Sequence, residues 1–219
     1  MTPEKSSKRE GGALSWLAIY REPVVLRMFF LGFSSGLPLL LVLGTLSFWM
    51  REVGVDLKSI GFMSWVGLCW GMKWLWSPLV DKLSIPLLSS RLGQRRAWLL
   101  TAQIGLIVSL VLMAFADPAK SLTLTAALAL TTAFFGATQD IALDAFRIES
   151  GSEEKQAAFA ATYQTGYRLA MIWAGAGALA IAAFFETQFG TAVGWRSAYL
   201  VMSASMLVGV VTVLFSPEP

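Results

Sequence analysis

The sequence predicts an all-α integral membrane protein of six transmembrane helices, and three observations carry that prediction. Only 14% of its 219 residues are charged while 56% are apolar, against roughly 25% charged in a soluble domain. Its apolar residues fall into blocks long enough to cross a bilayer, which takes about 20 residues at about 1.5 Å of rise each. Its Lys and Arg residues crowd into alternate connections between those blocks, as membrane topology demands. Composition also excludes much chemistry. The chain has no histidine, which removes Ser-His-Asp and Cys-His nucleophile systems, HExxH zinc sites and histidine proton relays. The lone Cys69 permits neither an internal disulfide nor a Cys-x-x-Cys site. A net charge of +3 is a small excess, not a basic face for nucleic acid.

The first span, 28–50, is uncharged and holds Gly32-Phe33-Ser34-Ser35-Gly36-Leu37-Pro38. Small residues four apart admit a close neighbour, and Pro38 takes the amide partner from the Ser34 carbonyl. Gly32, Gly36 and Pro38 therefore mark either a broken helix lining a site or a packing notch. The second span, 59–80, carries Lys73, with Cys69, Trp70, Trp76 and Ser77 three or four residues away on the same side. The third, 97–116, is uncharged. The fourth, 122–143, runs into a stripe of Asp140, Asp144 and Arg147 at spacings of four and three, with Thr138 and Gln139 above it. The fifth, 157–185, has a polar face of Gln164 and Arg168, with Tyr163 and Tyr167 spaced likewise, and a tightly packing Ala174-Gly175-Ala176-Gly177-Ala178. The sixth, 197–215, is again uncharged. The longest connection, 81–96, is too short for a domain with its own core.

Six crossings put both termini on one side. Placing them in the cytoplasm leaves eleven Lys and Arg residues inside and only Arg51, Lys58, Lys120 and Arg196 outside, with Lys73 and Arg168 within spans. The expected organisation is a cytoplasmic segment 1–27, a six-helix bundle 28–215, and a cytoplasmic end 216–219 that begins a linker. Within 1–27 the apolar stretch 14–20, with Trp16, suits a helix lying along the inner interface. The apolar block that follows is too long for a signal peptide.

A charge at mid-bilayer costs about 2.5–3.5 kcal/mol on insertion scales, so Lys73, Asp140, Asp144 and Arg168 are the informative residues. Lys73 lies roughly 20 Å below the outer end of its span, Arg168 roughly 16 Å above its inner end, and Asp140 roughly 27 Å below its outer start. These three meet across a cavity if their helices are neighbours; the alternative is bracing. Asp144 and Arg147, nearer the headgroups, read as an ion pair. Trp16, Trp49, Trp76, Trp98 and Trp195 fit interface belts by depth, whereas the deeper Trp70 and Trp74 either stack on a sugar ring or pack.

Ser77-Pro78-Leu79-Val80-Asp81-Lys82, followed by Leu92-Gly93-Gln94-Arg95-Arg96, resembles the cytoplasmic signature loop of the major facilitator superfamily, stretched by several residues. With Gly32 to Pro38, Leu57 to Phe62, Trp74 to Leu79, Gly93 to Leu100, Ala137 to Ala145 and Gly166-Tyr167-Arg168, the chain is similar, from about Tyr20 to its end, to AmpG-type muropeptide permeases. Eukaryotic acetyl-coenzyme A transporters are more distant relatives with related motifs, which leaves a related carrier for another substrate, such as an acyl-coenzyme A, as an alternative. The resemblance implies a proton-driven importer of anhydro-muropeptides in a Gram-negative inner membrane, serving cell-wall recycling and beta-lactamase induction. Family members have two six-helix halves, so a second half is an expected partner, beside the lipid bilayer and the substrate; no nucleic acid, metal or cofactor is expected, the proton being the coupling ion.

On that reading a carboxylate near a cavity changes protonation when partly desolvated, which makes Asp140, and after it Asp144, the proton-coupling candidate. Lys73 and Arg168 suit substrate carboxylates or serve as counter-ions to Asp140, and Gln139, Gln164, Tyr167 and Trp70 suit sugar hydroxyls, amides and ring faces. Asp81, Lys82, Gly93, Arg95, Arg96 and Arg147 form a cytoplasmic latch. Two rivals remain: an intramembrane aspartyl enzyme, against which the pair on one helix speaks, and a half-transporter inactive without its other half.

Overall fold

Proline at the first helical position, where no amide partner is needed, starts the longest apolar run, and α1 extends over Pro23–Glu52. The computed structural model describes residues 19–219. The expected interfacial helix over 14–20 and the basic residues Lys5, Lys8 and Arg9 therefore lie largely or wholly outside the described residues. Among those described, four further helices are long and apolar enough to cross a membrane: α6 (Gln94–Phe115), α7 (Leu122–Glu149), α8 (Glu153–Phe189) and α9 (Thr191–Leu214). They are preceded by α2 (Leu57–Met63), α3 (Leu68–Met72), α4 (Ser77–Lys82) and α5 (Leu88–Leu92).

The expected second span is the point of difference. Residues 57–82 form no continuous helix but α2, α3 and α4 joined by 3-10 turns over Ser64–Gly67 and Lys73–Leu75. Met72 and Trp76 leave helical geometry, with ψ near zero. Pro78 cannot serve the Trp74 carbonyl, and the Ser77 hydroxyl donates to it instead at 3.3 Å. Among the described residues, five long helices and one run broken into short pieces replace the six predicted.

Helices α1 and α8 lie in closest apposition, seated on glycine. A Cβ at Gly32 would run into the Tyr163 carbonyl, one at Gly36 into that of Tyr167, and one at Gly166 into that of Phe29. Gly32, Gly36 and Pro38 therefore do not break the helix: α1 stays α-helical through Pro38, because its small face lets α8 approach rather than opening a gap. The irregularity falls one turn later, in a π turn over Leu41–Thr45, opposite a π turn over Trp173–Gly177 in α8. π turns leave carbonyls without regular partners. Thr45 Oγ1 donates to the Ala174 carbonyl at 2.6 Å and the Tyr199 hydroxyl to the Leu41 carbonyl at 2.9 Å, closing both.

Helix α7 packs on α6, with Gly105 against the Phe135 ring, and on the 57–82 run; α9 closes the bundle against α1, α6 and α8. Two apolar layers result. One, toward the Arg51 end, holds Leu41, Trp49, Met113 and Tyr199; the other, toward the Arg95 end, holds Met28, Leu99, Phe146 and Phe159. Between them runs a buried polar layer of Ser34, Ser35, Gln103, Thr138 and Gln139.

Candidate functional site

The polar layer reaches its most reactive member at Asp140, where α1, α7 and α8 meet. Ser35 Oγ, buried on α1, donates to the Asp140 carboxylate and lies 3.1 Å from the Tyr163 hydroxyl of α8. The Trp70 ring is wedged over Gly136, one turn above Asp140, beside Pro38, and its indole together with Lys73 contributes to the field at Asp140. Trp70 thus packs between α1 and α7, while Trp74 is exposed. Lys73 Nζ sits 3.4 Å from Asp144, which Arg147 approaches at 3.7 Å from the following turn. Lys73 therefore stands between two carboxylates, ion-paired to the lower.

Arg168 does not close this group. It and Gln164 are exposed on α8, and Arg168 makes no ion pair among the described residues; Tyr167 between them is partly buried, its ring 6.1 Å from that of Tyr163. The expected meeting of Lys73, Asp140 and Arg168 is replaced by Asp140 held to α1 and α8 through Ser35, with Arg168 exposed on α8 and outside the group. Gln139 faces inward: its carbonyl accepts from Ser34 Oγ at 3.4 Å, and its amide nitrogen is buried without a partner, as are both amide atoms of Gln103. Trp76 Nε1 donates to Thr138 at 3.2 Å.

The proposed latch residues separate into two groups. Arg95 bridges Asp81 and Glu149, both at 2.7 Å. Arg96 donates to the Val213 and Leu214 carbonyls at 3.0 and 2.8 Å. Glu218 accepts from the Arg95 and Arg96 amides at 2.8 and 3.1 Å, capping α6 where Gly93, at φ +90°, leaves room for its carboxylate. Arg147 belongs instead with Asp144, and Lys82 is exposed, because helix α7 turns Asp144 and Arg147 toward the 57–82 run and away from Arg95.

Ser35, Glu149 and Glu218 carry contacts that residue type alone did not reveal. Glu149 left one signal: an acid in the last turn of α7 opposes the helix dipole and calls for a cation from elsewhere. Ser35 left another, a hydroxyl in an uncharged span that needs a partner.

The profile of the acetyl-coenzyme A transporter 1 family matches residues 24–174, a stretch that contains every member of the Asp140 site. The anhydromuropeptide permease of Escherichia coli (strain K12) is 40% identical over 204 residues, 93% of this chain and 39% of that protein. The putative transporter AmpG 4 of Rickettsia felis is 34% identical over 196 residues, 90% of this chain and 46% of that protein. The chain thus spans less than half the length of these relatives. With helices that suit a multi-pass membrane protein, and a profile match running from the start of α1 to the π turn of α8, the chain belongs to the acetyl-coenzyme A transporter 1 family.

Proposed function

We propose that the chain is the first half of a proton-coupled importer of anhydro-muropeptides, both termini cytoplasmic, in a bacterial inner membrane, serving peptidoglycan recycling. The carrying observation is a carboxylate at the junction of three helices, Asp140, tied by hydroxyls to α1 and α8, the latter a helix that also carries the exposed Gln164 and Arg168. A half-buried acid can be met in either protonation state by hydroxyl neighbours, which both donate and accept, and a face carrying cations and amides suits an acidic, hydroxyl-rich ligand. The permease relatives support the substrate class. A second six-helix half completes the cavity, since sites of this kind lie between repeats. The chain does no catalysis and uses no cofactor other than the proton.

Paired with its second half in proteoliposomes, Asp140→Asn abolishes uptake driven by a proton gradient and retains counterflow without one. Wild-type gradient-driven uptake by Asp140→Asn would refute the coupling role; loss of both activities would assign Asp140 to binding or folding. The family profile favours one second reading, a carrier of acyl-coenzyme A. Competition of labelled muropeptide by acetyl-coenzyme A distinguishes the two: effective competition supports the second.

A further inference from the structure

Resting on the proton-coupling reading of Asp140, we infer that Ser35 and Tyr163 form a hydrogen-bond relay that sets the Tyr163 hydroxyl as a donor to ligand only when Asp140 is protonated. Hydrogen valence decides the direction. A serine hydroxyl has one hydrogen to give, and an ionised carboxylate only accepts. With Asp140 charged, the Ser35 hydrogen is committed to it. The contact between Ser35 Oγ and the Tyr163 hydroxyl, at 3.1 Å, then has Tyr163 as donor, and its hydrogen is occupied.

Protonation of Asp140 turns the carboxyl into a donor. Its O–H points at Ser35 Oγ, Ser35 rotates its own hydrogen to the Tyr163 oxygen, and the Tyr163 O–H is released. One proton enters, at Asp140; each hydroxyl hydrogen stays on its parent oxygen and only rotates. The released donor belongs to a ring that lies beside that of Tyr167, on the stretch of α8 whose Gln164 and Arg168 are exposed. It would meet a hydrogen-bond acceptor, such as the amide or hydroxyl oxygen of a sugar.

Three helices share this relay, Asp140 on α7, Ser35 on α1 and Tyr163 on α8, and the glycine seat keeps it short: the position of α1 that would clash with the Tyr163 backbone is Gly32. The titratable and charged groups facing Asp140 are Lys73 from the 57–82 run, Asp144 from its own helix, and Tyr163 and Tyr167 from α8. Lys73 is already engaged by Asp144, which leaves the hydroxyls as the neighbours free to reorient.

Infrared difference spectra of the purified chain in lipid, recorded across a pH titration, follow the carboxyl C=O and tyrosine C–O stretches together. Asp140→Asn identifies the first band and Tyr163→Phe the second. The expected result is one midpoint for both bands in the wild type, and a Ser35→Ala protein whose carboxyl band still titrates while its tyrosine band no longer responds. The two assigning variants are near-isosteric, and the wild-type comparison needs neither Ser35→Ala nor any further variant. A tyrosine band that stays fixed as the carboxyl titrates, or that still follows it in Ser35→Ala, overturns the relay and leaves the coupling role of Asp140 standing. A chain whose Asp140 band never titrates overturns both.

Discussion

Alanine in place of Gly32, Gly36 or Gly166 tests the seat on which the site is built. A Cβ at Gly32 would stand 3.0 Å from Tyr163 Cα, one at Gly36 2.9 Å from Ala170 Cβ, and one at Gly166 2.9 Å from the Phe33 amide, each with a carbonyl closer still. Carbon contacts settle at about 3.5–4.0 Å, so α1 and α8 must part by about 0.5–1 Å, forfeiting about a quarter to a half of their dispersion attraction. With an unyielding backbone carbonyl closer still at each position, these changes fall in the upper part of the overpacking range, about 2–3 kcal/mol, and the better helix propensity of alanine returns about 1 kcal/mol of it. The net loss is about 1–2 kcal/mol. Gly61 in α2 is the internal reference, because a Cβ there meets nothing within 4 Å; Gly61→Ala carries the propensity gain alone. Thermal melts followed by size exclusion in detergent should place the three interface variants about 2–8 °C below the wild type and Gly61→Ala at or above it. Interface variants that melt with Gly61→Ala would refute the close-packed seat.

Arg95→Gln and Glu149→Gln, alone and together, should show a coupling of about 0.5–1 kcal/mol that shrinks as salt is raised, since the pair is partly exposed; a coupling of zero at low salt would dissolve the cluster. Glu218→Ala removes the cap on the first turn of α6, a change worth about 1 kcal/mol, and hydrogen exchange at the Arg95 and Arg96 amides should quicken by about fivefold while α7 is unchanged. Ser59 donates both its hydroxyl and its amide to the Asp56 side chain, holding that carboxyl below its usual value of 3.8. A depressed folded value means that the cap on α2 is intact above the ordinary aspartate range and is lost as pH falls through the folded value. Exchange of the Ser59 amide should therefore accelerate only in acid, and an Asp56→Ala chain should show no such step.

Composition and block length made the membrane bundle legible, because hydrocarbon tolerates little besides an apolar helix. They misjudged 57–82, since hydropathy reads the side chains and the interruption lies in the backbone at Met72, Trp76 and Pro78. Of the site, Asp140 and Lys73 were legible as charges in apolar surroundings, and Asp144–Arg147 as a one-turn pair. Arg168 was legible as a charge, though its position is not: depth along a helix says nothing of azimuth around the bundle, and α8 turns it away from Asp140. Ser35, a neutral residue, became a member of the site only through the glycine-set approach of α1 to α8, a distance that no spacing within one helix encodes. Glu218 is more remote again, joined to Gly93 across the whole bundle.

Helix α7 is common to both charge groups. Asp140 near mid-height and Glu149 at the Arg95 end lie on one uninterrupted helix of 28 residues, with Asp144 between them holding Lys73 and Arg147. The two helices that receive Asp140 through Ser35 and Tyr163 are interrupted instead, α1 by its π turn at Leu41–Thr45 and α8 at Trp173–Gly177. A continuous helix transmits displacement along its length, whereas a π turn is a place where a helix bends. Unbroken helix therefore joins Asp140 to the Arg95 cluster along α7, whereas along α1 and α8 toward the Arg51 end regular α-helix runs only as far as the π turns. Those turns are tied to each other by Thr45 and to α9 by Tyr199, which fastens the portions beyond them together. Asp140 is thus joined to one end of the bundle by continuous helix and to the other across two π turns.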